Sequence, residues 1–189
     1  MMRYLTGWMN PAADGNCGFR CIADRFLNGQ DYWPHVRQCL AYELAHNASV
    51  YAQTYSPTEN GTNRVDEAIA RIRWMHEDRN APPQHWMTVV DDLYPIAQVY
   101  KCAIMLYGPT IMQSATVIPW KLEEHDQLPL REICIIWNAY HYIRVEFKDQ
   151  YPIPRILSNW RKVCEPSAAC LADAYGIRIY DFRQNMGDI

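Results

Sequence analysis

The period of the hydrophobic pattern changes once along this chain of 189 residues, and the change comes at Lys101. Before Lys101, apolar residues recur at helical spacing, which predicts helices over 17–27, 31–47, 64–77 and 85–100. Pro34 suits the first turn of the second helix. In the fourth, Thr88 and Asp91 have capping-box spacing, and Pro95 is expected to kink or shorten the helix. After Lys101, short apolar or alternating runs predict strands over 102–108, 115–119, 133–138 and 141–148.

The order of these elements predicts one α+β domain with three α/β/α layers. Helices occupy its N-terminal half, and a small, mostly antiparallel sheet occupies its C-terminal half. Only Ala139 and Tyr140 separate the last two strands, which is the spacing of a β-hairpin. We expect residues 1–150 to form this domain, and residues 151–189 to form a C-terminal tail or extension packed on it or following it.

Composition excludes several classes of function. The formal net charge is −3 and no run of Lys or Arg occurs, so we expect no nucleic-acid partner and no membrane partner. The apolar runs are too short to span a bilayer, and the first ten residues lack the pattern of a signal peptide. No C-x-x-C or H-x-x-x-H spacing occurs, so no metal site is expected. The seven cysteines, an odd number, predict reduced thiols in the cytoplasm or nucleus.

One cysteine lies where a thiol is expected to be reactive. Asp14-Gly15-Asn16 is a turn-forming run, and the first helical pattern begins directly after it at Cys17. A helix N-terminus favours the thiolate, so this position is expected to lower the pKa of the thiol. The unpaired backbone N–H groups of the first helical turn are the donors that an oxyanion hole needs.

A thiolate of this kind needs a base, and His141 is the candidate. It opens the last strand and shares a face with Ile143, Val145 and Phe147, so its ring is expected to point toward the helical layer. General physical chemistry leaves two alternatives open. A cysteine in an apolar helix is often a small buried hydrophobe, and an inward histidine at a strand end is often a core residue with satisfied hydrogen bonds.

Two sequence motifs carry a family resemblance. The run D-G-N-C-G-F-R at 14–20 closely resembles the nucleophile motif of the ovarian-tumour (OTU) family of cysteine deubiquitinases, and W-N-A-Y-H-Y at 137–142 resembles the second motif of that family. The resemblance covers about residues 10–148. The tail, with Y-P-I-P at 151–154 and then Asn159-Trp160, is similar to the segment C-terminal to the OTU domain in some transposon-derived proteins, which would make this chain a fragment of a longer protein.

The resemblance implies a papain-like fold and hydrolysis of the isopeptide bond between the C-terminal glycine of ubiquitin, or a ubiquitin-like protein, and a lysine. By this similarity Cys17 is the nucleophile and His141 is the base. Asp14, Gly15, Asn16 and Cys17 form the oxyanion loop, with Asp14 counted among the catalytic residues. The family uses no cofactor.

This chain departs from the family pattern at one position. Many members place Asp or Asn two residues after the histidine, where its side chain can hold the imidazole, but here Ile143 occupies that position. A two-residue hairpin loop makes Asn138 the cross-strand neighbour of His141, so we predict that Asn138 orients the ring. Asn10 and Asp14 are the alternatives.

These inferences together predict a monomeric, cofactor-free thiol isopeptidase acting on ubiquitin or a ubiquitin-like protein. A catalytically weak or silent OTU-like ubiquitin-binding module is the main alternative, and Ile143 is the residue that keeps it open. A papain-like protease of unfolded peptides is the third. The pair Trp86-Met87 resembles a recurring aromatic position of the family and is interpreted as part of the core.

Overall fold

The computed structural model describes residues 1–55, 64–138 and 140–186. The helices in these ranges are α1 (Cys17–Leu27), α2 (Trp33–His46), α3 (Ala48–Thr54), α4 (Arg64–Ile72), α5 (Leu93–Tyr100), α6 (Cys170–Ala174) and α7 (Gly176–Met186). The strands are β1 (Leu5–Met9), β2 (Cys102–Tyr107), β3 (Ala115–Val117), β4 (Arg131–Trp137) and β5 (Tyr142–Phe147). No helix in the part described is both long and apolar enough to cross a membrane.

The five strands form one sheet in the order β1-β5-β4-β2-β3. The β2/β4 pair is parallel, and the β1/β5, β4/β5 and β2/β3 pairs are antiparallel. The β4–β5 hairpin closes with Trp137 opposite Tyr142, and the backbone N–H of Asn138 donates to the carbonyl of His141 at 3.2 Å. The prediction of this hairpin is confirmed, although Ala139 in its loop lies outside the described residues.

Helix α1 packs on one face of the sheet because its apolar residues follow the helical period. Phe19, Ile22 and Ala23 are fully buried, and the side chains of Phe19 and Ile22 each contribute about 1.5–3 kcal/mol to stability. Asp24, near the end of this face, accepts a hydrogen bond from Arg144 of β5 at 2.7 Å. The helix is thereby fixed above the strand that follows His141.

The C-terminal segment covers the other face of the sheet. Tyr107 of β2 and Phe147 of β5 lie there with their rings 5.6 Å apart, and the ring of Phe182 from α7 is 6.2 Å from Tyr107. Arg178 of α7 anchors the helix by a bidentate ion pair to Glu132 of β4, at 2.6 and 3.1 Å. Helix, sheet and helix therefore form three layers, and the predicted α+β fold class is confirmed.

The structure corrects two predicted helices and adds elements that were not predicted, among them β1 and α3. Helix α4 ends at Ile72 rather than residue 77. The fourth predicted helix begins only at Leu93, so the predicted capping box of Thr88 and Asp91 is wrong. The backbone N–H of Thr88 instead donates to the buried Asp92 carboxylate at 2.7 Å, and Val90 has a φ of 76°, which no right-handed helix accommodates.

Candidate active site

The loop before α1 has a conformation that requires glycine at position 15. Gly15 has a φ of +80°, and a Cβ there would collide with the Ala81 carbonyl oxygen and lie 2.5 Å from Nε1 of Trp86. The backbone N–H of Ala81 donates to the carbonyl of Asp14 at 2.7 Å, and Trp86 Nε1–H donates to the carbonyl of Ala81 at 2.8 Å. The segment around residues 81–86 therefore clamps this loop.

Asp14 organises the same loop from its other side. Its Oδ1 accepts the backbone N–H of Asn16 at 2.9 Å, and its Oδ2 accepts from Arg20 Nη2 at 2.7 Å and Nε at 3.1 Å. Burial alone would raise the pKa of the Asp14 carboxyl, but the hydrogen bonds from Arg20 and Asn16 outweigh it and the pKa lies below its usual value. Asp14 is therefore an ionised turn residue that caps a backbone N–H.

Cys17 is the first residue of α1 and is 6% exposed. Burial raises the pKa of its thiol, although the backbone N–H groups of Tyr142, Gly18 and Cys17 itself act in the opposite direction. The lowered pKa predicted from the helix N-terminus is therefore wrong in direction, because loss of solvent outweighs the N–H groups. The resting thiol is protonated at neutral pH.

His141 is held by Asn10, not by Asn138. Its Nε2 lies 2.7 Å from Asn10 Oδ1, and since an amide oxygen can only accept, Nε2 carries the proton. Asn138 Oδ1 accepts the backbone N–H of His141 at 3.0 Å, so this oxygen is used in closing the hairpin. The predicted hydrogen bond from Asn138 to the imidazole is therefore wrong, and the alternative, Asn10, is the residue found there.

The register of the sheet explains why Asn10 can reach the ring. The last registered pair between β1 and β5 is Met9 opposite Arg144. One further step along this ladder places Asn10 beside Ile143, the position where many OTU domains carry their own acceptor. The acceptor for the imidazole is thus supplied by the residue that follows β1. The signal in the sequence was Asn10-Pro11 directly after a short strand, since proline stops a ladder.

Thiol and imidazole lie at the same end of the sheet. The backbone N–H of Tyr142, the residue directly after His141, is one of the groups that lower the pKa of the Cys17 thiol. Because Asn10 fixes the proton on Nε2, the neutral ring has its lone pair on Nδ1, and that nitrogen can accept a proton. This end of the sheet therefore holds the predicted residues Cys17, His141, Asp14 and Asn138, and Asn138 closes the turn of the hairpin.

A cavity of about 290 Å³ opens beside the thiol. Its lining is mostly apolar and consists of Gly15, Cys17, Trp86, Met87, Thr88, Val89, Trp137, Tyr140 and Tyr142. Met87 is a buried core residue as predicted, but Trp86 is half-buried and forms part of the cavity wall. The cavity gives an extended chain a route to the sulfur.

The wall opposite the Cys17 loop is held by a buried ion pair. Asp92 is fully buried and receives two hydrogen bonds from Arg71, at 2.6 and 2.7 Å. The same Arg71 also donates to the carbonyl of Trp86 at 3.0 Å, and Asp92 binds the backbone N–H of Thr88. These contacts support the left-handed Val90, whose strained backbone lies next to the cavity.

No group of three or more His, Cys, Asp or Glu side chains within 1–55, 64–138 and 140–186 is arranged to hold a metal ion. All seven cysteines carry free thiols.

No protein-family model and no curated protein sequence matches the chain. Solved structures do. The viral OTU domain protease from Dera Ghazi Khan virus is 12% identical with a TM-score of 0.54, over 78% of this chain and 84% of that chain. The OTU domain of OTUD1 is 17% identical with a TM-score of 0.51, over 74% and 84%. The Hazara virus OTU bound to ubiquitin is 12% identical with a TM-score of 0.50, over 78% and 84%. The chain therefore has the fold of the OTU domain proteases.

Proposed function

We propose that this chain is a thiol isopeptidase of the OTU type that hydrolyses conjugates of ubiquitin, or of a ubiquitin-like protein, at the C-terminal glycine. The observation that carries the proposal is the set of three side chains at one end of the sheet. Cys17 begins α1, His141 precedes the strand whose first N–H lowers the pKa of the thiol, and Asn10 holds Nε2 of the imidazole. We interpret these three residues as the Cys–His–Asn arrangement of thiol proteases.

The reaction starts from the protonated thiol of Cys17, because burial raises the pKa of that thiol. As the sulfur attacks the carbonyl carbon of the terminal glycine, its proton passes to Nδ1 of His141, and the carbonyl π electrons move onto oxygen. Backbone N–H groups in the first turn of α1, those of Cys17 and Gly18, lie where they can stabilise this oxyanion. Asn10 stabilises the imidazolium through Nε2–H.

The intermediate then collapses with cleavage of the C–N bond. His141 gives its proton to the departing lysine amine, which leaves a thioester on Cys17. A water molecule loses a proton to the same imidazole as it attacks the thioester. The second collapse breaks the C–S bond, the imidazolium returns its proton to the sulfur, and the released glycine carboxylic acid gives its remaining proton to solvent and becomes the carboxylate. The cycle uses no cofactor.

The shape of the cavity and the comparisons support the substrate class. Aromatic side chains from Trp86, Trp137 and Tyr142 line the approach to Cys17, which favours residues without bulky side chains next to the scissile bond. The C-terminal glycine of ubiquitin meets this requirement. The Hazara virus OTU, which shares the fold, is bound to ubiquitin in its structure.

A ubiquitin carrying a C-terminal electrophile tests the proposal directly. We expect one covalent adduct, located at Cys17 by mass spectrometry, with none formed by Cys17→Ala. Cys39→Ala is the matched control, since Cys39 is a half-buried thiol on α2 outside the cavity, and it should label like the wild type. Labelling at a different cysteine, or no labelling by any ubiquitin-like probe, would overturn the proposed activity.

The raised pKa of the Cys17 thiol favours one alternative function, a ubiquitin-binding module with weak or no turnover. That protein would bind ubiquitin but would neither form the adduct nor cleave a ubiquitin chain. Titration of ubiquitin into Cys17→Ala, set beside the labelling of the wild type, separates the two functions.

The proposal also covers the setting of the enzyme. A mechanism that needs a free thiol at Cys17 requires a reducing compartment, the cytoplasm or the nucleus. We propose that the chain works there as a monomer, and that it derives from an OTU protein of the transposon-associated type.

A further inference from the structure

We propose that Arg37 is a positioning residue for the reaction of Cys17, acting through Asn16 on the loop that carries the thiol. The inference rests on the proposed function. Arg37 lies in α2 and is completely buried, and its guanidinium stacks 4.0 Å from the centre of the Phe19 ring of α1. It thus lies directly behind the first turn of the helix that begins at Cys17.

The guanidinium of Arg37 joins three separate segments. Its Nε and Nη2 donate to Asn16 Oδ1 at 3.1 and 2.7 Å, and Nη2 also donates to the carbonyl of His85 at 2.8 Å. Its Nη1 reaches the carbonyls of Ile72 at 3.3 Å and Arg71 at 3.4 Å at the end of α4. All of these acceptors are uncharged oxygens.

A buried cation whose hydrogen bonds go to uncharged oxygens is a costly way to hold a fold together, because no directly bonded carboxylate offsets the loss of water. Burial lowers the pKa of the Arg37 guanidinium to about 10. Two other arginines also join separate segments of the chain, but each of them pairs with a carboxylate. Arg178 forms a bidentate pair with Glu132, and Arg71 forms one with Asp92. The carboxylates of Asp92 and Asp14 favour the charged form of Arg37 through space, but its hydrogen bonds go to uncharged oxygens. This arrangement needs a reason, and the neighbours of Arg37 supply one.

Asn16 is that neighbour. Its Oδ1 is held by Arg37 and its Nδ2 donates to Asp14 at 3.3 Å, so the side chain is fixed at both ends. The next peptide unit presents the backbone N–H of Cys17, one of the groups directed at the sulfur. A change in the backbone conformation at Asn16 therefore moves an N–H group that the thiolate and the oxyanion need.

The same fork also reaches the facing wall of the cavity. The carbonyl of His85 immediately precedes Trp86, which lines the cavity beside the thiol. One planar guanidinium thus sets the distance between the Cys17 loop and that wall. A lysine ammonium is a point charge on a flexible stem and cannot reproduce this fork.

The test compares Arg37→Lys and Arg37→Met with the wild type in cleavage of a fluorogenic ubiquitin C-terminal amide. We expect kcat to fall about 10- to 100-fold in both variants while KM changes little, because reacting atoms misplaced by about 1 Å lose that much. Asn16→Ala should show a similar loss. Combining it with Arg37→Met should add little, since the two residues act as one unit.

Arg178→Met is the matched control, because it also removes an arginine that anchors two elements but lies at α7, away from the thiol. It should lower the melting temperature and leave kcat unchanged. If Arg37→Lys or Arg37→Met is folded and keeps the wild-type kcat, or if its effect is fully additive with that of Asn16→Ala, the inference is overturned. If neither Arg37 variant folds, Asn16→Ala decides alone, and wild-type kcat in that variant rejects the inference.

Alkylation of Cys17 by iodoacetamide separates this inference from the proposed function, because it needs no ubiquitin. Loss of the Arg37–Asn16 link should move the midpoint of the pH–rate profile for alkylation upward, as N–H groups leave the sulfur. If the wild type shows no activity on ubiquitin, the proposed function fails, and the pH–rate profile of alkylation still tests whether Arg37 positions the Cys17 loop. An unchanged profile in folded variants overturns the role of Arg37 even when the wild type is active.

Discussion

Replacing Asn10 by alanine tests the hydrogen bond on which the orientation of the imidazole depends. The bond from His141 Nε2 to Asn10 Oδ1 is 2.7 Å long, and it strengthens when the ring becomes an imidazolium in the transition state. Hydrogen bonds to charged groups contribute about 1.5–3 kcal/mol. The loss predicts a fall in kcat of about 10- to 150-fold, because each 1.36 kcal/mol is a factor of about ten in rate. Steady-state hydrolysis of a ubiquitin C-terminal amide at saturating substrate measures it.

The sheet register provides a rescue experiment for the same prediction. Ile143 lies one ladder step beyond the Met9–Arg144 pair, beside Asn10. Ile143→Asn in the Asn10→Ala background should therefore return an acceptor to the ring and recover part of kcat. Asn138→Ala should cost less than Asn10→Ala, because its oxygen serves only the backbone N–H of His141. Wild-type kcat in Asn10→Ala, or a larger loss in Asn138→Ala, would refute the assignment.

Packing and burial lead to three further predictions. Gly15→Ala should destabilise the fold by at least about 2 kcal/mol in urea unfolding. Gly176→Ala, where a Cβ meets nothing within 4 Å, should be neutral. Equal effects of the two substitutions would contradict the strain at Gly15. Burial raises the pKa of the Cys102 thiol from 9.0 to about 12, so above pH 9 the unfolded chain releases a proton that the folded chain retains. The free energy of unfolding should therefore fall as the pH rises above about 9. A free energy of unfolding that does not change with pH in this range would exclude this contribution. Removal of residues 151–189 should abolish the cooperative thermal transition measured by circular dichroism, because that segment contributes the buried side chain of Phe182 to the core. A fragment of residues 1–150 that still melts cooperatively would show that these residues fold alone.

Elements that depend on local chemistry were predictable from the sequence. Helix α1 occupies the predicted residues 17–27, because a turn-forming run precedes it and apolar residues follow at helical spacing. The second helix was placed within two residues, with Pro34 in its first turn as expected. The region before α5 was not predictable in this way. Its conformation depends on the buried pair of Asp92 and Arg71, which are 21 residues apart, and tertiary contacts of this kind override local propensity.

Strand β1 escaped prediction for a related reason. It has five residues at the edge of the sheet, and its burial alternates only between half-buried and exposed, with Trp8 68% exposed. An edge strand with a large apolar side chain in solvent does not show the pattern of a buried strand. Its pairing with β5, far away in sequence, makes it a strand, and it places Asn10 at the ring. Asn10, the acceptor beside the His141 ring, could therefore be named as an alternative but not selected.

The thiol shows how position and burial compete at one atom. A helix N-terminus favours a thiolate, and the N–H groups of Gly18 and Tyr142 act in that direction at Cys17. Yet the residue is only 6% exposed, and the loss of water dominates, so the pKa is raised. In the mechanism proposed above, no reactive thiolate is stored before substrate arrives. The base must already be oriented when the carbonyl reaches the sulfur, and we therefore expect turnover to depend on the hold of Asn10 on His141.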